Sequence, residues 1–202
     1  VSIDTYKPKV MQAVLDLGVD IINDIWALRW TDPNATGVSM DGVQVVSRHA
    51  GCGVCLMHMH GEPRTMQVAT MEGDVVPQVQ SFLERAAVIL QQQGVQKHRI
   101  AIDPGIGFGK TVAQNFELLA RQRQVRTGGY ALVVGWSRKS SLAAVTGTSL
   151  ASVATLDVRE RLVPSVAAAL LAAERGANIV RVHDVRETCL LYTSDAADER
   201  SS

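Results

Sequence analysis

The strongest constraint on this chain is a cadence that repeats along it: a short β-rich apolar run, a polar residue at its end, a loop, then a helical stretch. Runs at residues 1–3, 19–22, 53–57, 99–102, 131–134 and 178–182 read as six strands. Helices are expected between them near residues 42–49, 75–93, 112–121 and 156–175, with Gly51 and Gly94 as stops. The first helix takes Thr5 as its cap and Pro8 in its first turn, sets Val10, Val14 and Leu17 on one face, and closes at Gly18.

Strands separated by helices lie parallel, because only a crossover helix returns the chain to the same end of the sheet. The α/β folds this allows are an open sheet and a (β/α)8 TIM barrel. A closed barrel takes eight units and roughly 250 residues, so six strands make an incomplete barrel lacking about the first two βα units, roughly 60 residues. The opening Val1, Ser2, Ile3 and Asp4 read as the end of a strand, with neither an initiator Met nor a signal peptide, so a chain cut at its front is expected.

Composition narrows the function classes. With 202 residues, 47% hydrophobic and 20% charged, the chain supports one sizeable core and little more. Lys plus Arg equals Asp plus Glu at 20 each, so no overall field draws in nucleic acid, and an anion site has to be built locally. The longest apolar runs fall far short of the ~20 residues that span a bilayer, so no membrane association is expected. Cys52, Cys55 and Cys189 are an odd count that suits reduced thiols in the cytoplasm rather than a disulfide framework. Residues 1–188 follow the cadence as one partial barrel. Residues 189–202 abandon it: Tyr192, Thr193, Ser194 and Asp195, then Asp198, Glu199 and Arg200, offer no apolar face. That stretch reads as a non-native tail whose wording resembles translated adapter sequence.

The polar residues at the strand ends are Asp4, Asn23 with Asp24, His58, Asp103, Ser137 with Arg138 and Lys139, and Arg181 with His183. In a parallel barrel these ends share one face, where the βα loops meet and active sites sit. The run from Asp103 to Thr111 is rich in glycine but is not a phosphate loop: Pro104 stands where the required first glycine would be, and the dinucleotide pattern lacks its last glycine at Lys110. His49, Cys52, Cys55, His58 and His60 suggest zinc by spacing, yet alternation along a strand points Cys55 and His58 to opposite faces.

Six segments, in order, resemble successive motifs of the dihydropteroate synthases: Ser2-Ile3-Asp4-Thr5, Ile21-Ile22-Asn23-Asp24, Cys55-Leu56-Met57-His58-Met59, the Asp103 to Lys110 run, Gly135-Trp136-Ser137-Arg138-Lys139-Ser140 and Arg181-Val182-His183-Asp184. The resemblance implies a TIM barrel that binds a pterin diphosphate and p-aminobenzoate and joins them into 7,8-dihydropteroate with release of diphosphate, a transferase step in folate biosynthesis. It gives Asp103, Asn23 and Asp4 to the amino-pyrimidine edge of the pterin, and Lys139 to the ring's acceptor side. Arg181 and His183 go to the ring face and the diphosphate. Met57 and Phe108 are walls, Gly135 belongs to the substrate site, and Ser137 and Lys139 border the p-aminobenzoate entry. Asp4, Lys139 and Arg181 are the expected catalytic groups.

The resemblance also implies a magnesium ion whose family Asn ligand would lie upstream of Val1, so no metal ligand is assigned within the chain. It further implies a homodimer at full length, a cytoplasmic location and a sulfonamide target. Two alternatives stay open: a noncatalytic pterin-binding fragment, and a pterin-dependent methyltransferase, which is not expected to carry the Ser137-Arg138-Lys139 segment in this form.

Overall fold

The computed structural model describes residues 1–32, 41–62, 65–66, 68–126, 128–146 and 157–198, with the side chains of 146 and 192–198 excepted. The expected loop at 30–41, part of the loop at 60–74 and the expected helix start at 156 therefore lie largely outside the described residues.

Among the described residues six strands occur in chain order: β1 (Ser2–Asp4), β2 (Ile21–Asp24), β3 (Gly53–Met57), β4 (Ile100–Asp103), β5 (Ala131–Val134) and β6 (Ile179–Val180). They form one parallel sheet in the order β1-β2-β3-β4-β5-β6. Helices α1 (Pro8–Asp16), α2 (Gly42–Arg48), α3 (Val75–Gln92), α4 (Val112–Ala120), α5 (Gln122–Val125), α6 (Ser140–Thr146), α7 (Leu162–Glu174) and α8 (Val185–Asp198) fill the crossovers and the end of the chain. The sheet curls far enough for the Arg181 guanidinium, just past β6, to donate to the Asp4 carboxylate at the end of β1. Six strands in sequential parallel order around one axis are an incomplete (β/α)8 barrel.

The strand ends differ from the apolar-run reading in a consistent way. β1, β2 and β4 each run into the polar residue at their end, because that residue is itself in the ladder: Asp4 pairs with Asn23, Asn23 with Cys55, and Met57 with Asp103. Hydrogen-bonded register, which hydrophobicity does not see, sets those boundaries.

Helix α1 corrects two expectations. Its N-cap is Lys7, without a side-chain cap, while Thr5 Oγ1 accepts from the Lys7 N–H at 3.2 Å. Its buried face is Pro8, Met11 and Leu15, with Val14 partly buried against the core as expected; Val10 and Leu17 face solvent. Both sets have helical spacing, and contact with α2 and the sheet selects Met11 and Leu15. Helix α7 begins at Leu162, behind a 3-10 turn over Val158–Arg161 that is closed by a capping box between Asp157 and Glu160. Three further helices, α5, α6 and α8, are not expected from the periodicity. Helix α8 runs through residue 189 without a break in its backbone.

The main core fills the layer between the sheet and the helices on its outside, where Ile22, Leu56, Ile100, Ile102 and Leu132 meet Leu83, Leu90 and Leu118. Each such side chain contributes about 1.5–3 kcal/mol by leaving water. On the concave side Ile21 and Ile179 stay 37% and 47% exposed, which marks the open flank of the barrel.

Candidate active site

Asp4, Asn23, Met57, Asp103, Phe108, Gly135, Ser137, Lys139, Arg181 and His183 all line a single cavity of about 470 Å³ at the C-terminal ends of the strands. Ile25, Gly105, Ile106 and Arg138 complete its wall. The alternation of strands explains the membership. Asn23 faces the concave side, and Asp24, one residue on, faces away; it is buried and accepts from the Trp26 and Leu28 N–H groups at 2.8 and 2.7 Å. Asp24 is thus a turn former, and burial pushes its carboxyl up to about 6. His58 also turns away from the cavity, edge-on to Phe82 at 4.9 Å. These two strand-end residues do not converge with the others.

Asp103 forms the cavity's buried floor. One carboxylate oxygen, Oδ1, accepts from the Gly105 N–H at 2.7 Å. Burial raises its pKa, while that hydrogen bond and the charges of Lys139, Lys110 and Arg181 pull it down. Lys139 is lowered by its own burial and supported by Asp103. Its Nζ lies 4.4 Å from the centre of the Phe108 ring, a cation–π contact that holds both side chains over the floor.

The rim is a second cluster. Asn23 Nδ2 donates to Asp4 Oδ1 at 2.7 Å, and Arg181 takes the other oxygen of Asp4. Ser137 Oγ accepts from the His183 N–H at 3.1 Å and lies 3.0 Å from His183 Nδ1. Arg138, held at a positive φ of 62°, makes two bonds to Asp184, at 3.1 and 2.5 Å, turning its charge along the rim. A carboxylate floor beneath a cationic, hydrogen-bonding rim suits a flat heterocycle bearing an anionic group.

Three features escaped the sequence reading. Gly105 (φ 66°) packs so tightly on β3 that an added Cβ would lie 1.8 Å from the His58 carbonyl oxygen. Asn115, in α4, accepts from the Gly107 N–H at 2.8 Å and donates to the Lys110 and Thr111 carbonyls and to Ser141 Oγ, clamping the glycine-rich loop. Lys110 is buried behind the same loop. The glycines signalled a tight loop, but only its packing on β3 and α6 reveals the clamps.

Magnesium calls for several oxygen ligands in near-octahedral array. The oxygens here are engaged otherwise: Asp4 by Asn23 and Arg181, Asp103 by Gly105, Ser137 by His183. Among the described residues no group of three or more His, Cys, Asp or Glu side chains is placed to hold a metal ion. The residues present do not by themselves fit magnesium. The zinc spacing is dispersed as well: His49 lies against Asp16, Cys55 lines the barrel interior, and His58 accepts from Lys110. None of the three cysteines forms a disulfide, and no helix among the described residues is long and apolar enough to cross a membrane.

Similarity to known proteins covers nearly the whole chain. The family described as pterin binding enzyme matches residues 1–183. The dihydropteroate synthase of Escherichia coli strain K12 is 38% identical over 188 residues, 93% of this chain and 60% of that protein. Among solved structures, Burkholderia cenocepacia dihydropteroate synthase complexed with 7,8-dihydropteroate is 44% identical with a TM-score of 0.81, covering 100% of this chain and 69% of that one. Xanthomonas albilineans dihydropteroate synthase with 4-aminobenzoic acid is 38% identical with a TM-score of 0.80, covering 98% of this chain and 64% of that one. The chain thus spans about 60% of the length of the curated relatives it matches. A partial parallel barrel with a carboxylate-floored mouth, matched by one family over residues 1–183, belongs to the pterin-binding enzyme family.

Proposed function

We propose that this chain carries the pterin site of a dihydropteroate synthase, the enzyme that condenses 6-hydroxymethyl-7,8-dihydropterin diphosphate with p-aminobenzoate to give 7,8-dihydropteroate and diphosphate. The observation that carries this reading is Asp103: a buried carboxylate, faced by Lys139 and Arg181, at the floor of a cavity of about 470 Å³.

The pterin's amino-pyrimidine edge presents adjacent N–H donors, and Asp103 receives them as two parallel hydrogen bonds, which its remaining lone pairs allow. Asn23 and Asp4 serve the same ring's edge, Lys139 donates to its acceptor side, and Met57 and Phe108 enclose it. Arg181 lies along the ring face and, with His183, meets the diphosphate.

In the reaction the bond from the exocyclic methylene to the diphosphate oxygen breaks to leave a cation-like pterin, and the amino nitrogen of p-aminobenzoate then bonds to that carbon and loses a proton. Negative charge grows on the departing diphosphate and positive character on the methylene. The cationic rim stabilises the first and Asp4 the second, so both bind the transition state better than the ground state. p-Aminobenzoate enters beside Ser137 and Lys139. Magnesium, on this reading, is held with residues outside this chain. The same reading makes the full protein a cytoplasmic homodimer and a sulfonamide target.

The test is turnover. Diphosphate release that depends on both pterin diphosphate and p-aminobenzoate supports the enzyme. Pterin binding with no release makes this chain a noncatalytic pterin-binding fragment.

A further inference from the structure

Lys110 is 4% exposed and takes no part in the cavity wall, yet all three of its ammonium protons are engaged. It donates to His58 Nδ1 at 2.9 Å, to the Gly105 carbonyl at 2.9 Å and to the Phe108 carbonyl at 3.1 Å. These acceptors belong to two elements: the end of β3, and the loop between β4 and α4 that carries the floor and one wall of the site. Gly105 is gripped from both ends, its N–H by Asp103 Oδ1 and its carbonyl by Lys110. The Asp103 carbonyl in turn accepts from the His58 N–H at 2.9 Å, so loop and strand end form one hydrogen-bonded knot.

We propose that Lys110 is a positioning residue for the pterin site, pinning the β4–α4 loop to the end of β3 and holding its ammonium charge behind Asp103. The inference rests on Asp103 being the pterin-binding carboxylate. Neutral Asp103 could accept fewer of the hydrogen bonds that the amino-pyrimidine edge offers. Charge at Lys110 therefore extends pterin binding to lower pH.

Asp103 faces several charged or titratable groups. Lys139 beyond β5, Arg181 beyond β6 and Lys110 in its own loop favour its ionised form. Burial, and then the charges of Asp103, Asp4 and Asp24, push the Cys55 thiol on β3 up, against the opposing charge of Arg181. Around Lys110 stand His58, whose ring also feels Arg29 and His60, and Lys139. Burial lowers Lys110 to about 7 and His58 to about 2, which leaves His58 as the neutral acceptor. Lys110 is thus most fully charged on the acid side of about 7, where Asp103 is most at risk of protonation.

The experiment is a carbon-detected NMR titration of the Asp103 carboxyl in the unliganded chain, with Asp103→Asn identifying the signal. It is run on the wild type, on Lys110→Gln, which keeps two N–H donors, and on Lys110→Met. The Asp103 midpoint is expected to rise by about half a pH unit or more in each folded variant. Titration with a pterin analogue should show the acid limit of binding moving upward by the same amount. A purely structural role would weaken binding equally at every pH and leave the carboxyl midpoint in place. An unchanged midpoint in Lys110→Gln overturns the inference. Failure of the wild type to bind pterin overturns the functional reading instead, while the carboxyl titration still decides the role of Lys110.

Discussion

Arg181, just past the last strand, donates to Asp4 at the end of the first, so the two edges of an incomplete barrel are joined by an ion pair at the mouth of the cavity. Both side chains are 53% exposed. An exposed pair of this kind contributes under about 1 kcal/mol to stability. Arg181→Met is therefore expected to leave the urea midpoint nearly unchanged and to weaken pterin binding at least tenfold. Denaturation and calorimetry on one preparation check both halves.

Gly105 is constrained by conformation and by space. Its φ of 66° disfavours any side chain, and an added Cβ would collide with the His58 carbonyl. Gly105→Ala should destabilise the chain by at least about 1 kcal/mol and disturb the site, because the loop cannot move without shifting Asp103. Gly18 has a comparable φ of 86° with nothing within 4 Å, so Gly18→Ala should cost less and leave pterin binding intact. Urea denaturation of the pair separates collision from backbone strain.

Asn115 is 1% exposed and makes four hydrogen bonds. Asn115→Ala leaves the Gly107 N–H and two carbonyls in the loop without this partner. The expected loss is about 1–3 kcal/mol. Hydrogen exchange should be fastest to rise at Gly107, and an unchanged rate there would contradict the clamp.

His58 gives the chain a defined acid response. Burial first, then the charge of Lys110, depress its pKa to about 2, whereas the unfolded chain takes up the proton below roughly 6.5. The stability linked to neutral His58 is thus present above about 6.5 and is lost as pH falls toward 2. In that window it contributes a slope of about 1.4 kcal/mol per pH unit. His58→Asn, which retains an acceptor for Lys110, should make stability between pH 6.5 and 4.5 depend less steeply on pH, as measured by denaturation at half-unit steps.

Much of the fold was legible because each strand ended in a polar residue before a loop, and the same rule found Asp4, Asn23, Asp103 and Arg181. Sequence could not divide neighbours such as Asn23 and Asp24 between the two faces of the sheet without the register that pairs Asn23 with Asp4 and Cys55. Helix α1 misled in part for a related reason: Val14 does pack partly buried against the core, but Val10 and Leu17 are as well spaced as Met11 and Leu15, and only the packed neighbours choose between them. Lys110 looked like part of a failed phosphate loop because its partners, His58 and two backbone carbonyls, come from contacts that spacing does not encode.

The most direct measurement is calorimetric titration of the chain with 6-hydroxymethyl-7,8-dihydropterin diphosphate in the presence of magnesium, beside Asp103→Asn. The expected result is saturable binding by the wild type that the substitution abolishes while the fold is kept. No binding by a folded wild-type chain, or equal binding by Asp103→Asn, would contradict the assignment of the cavity as a pterin site.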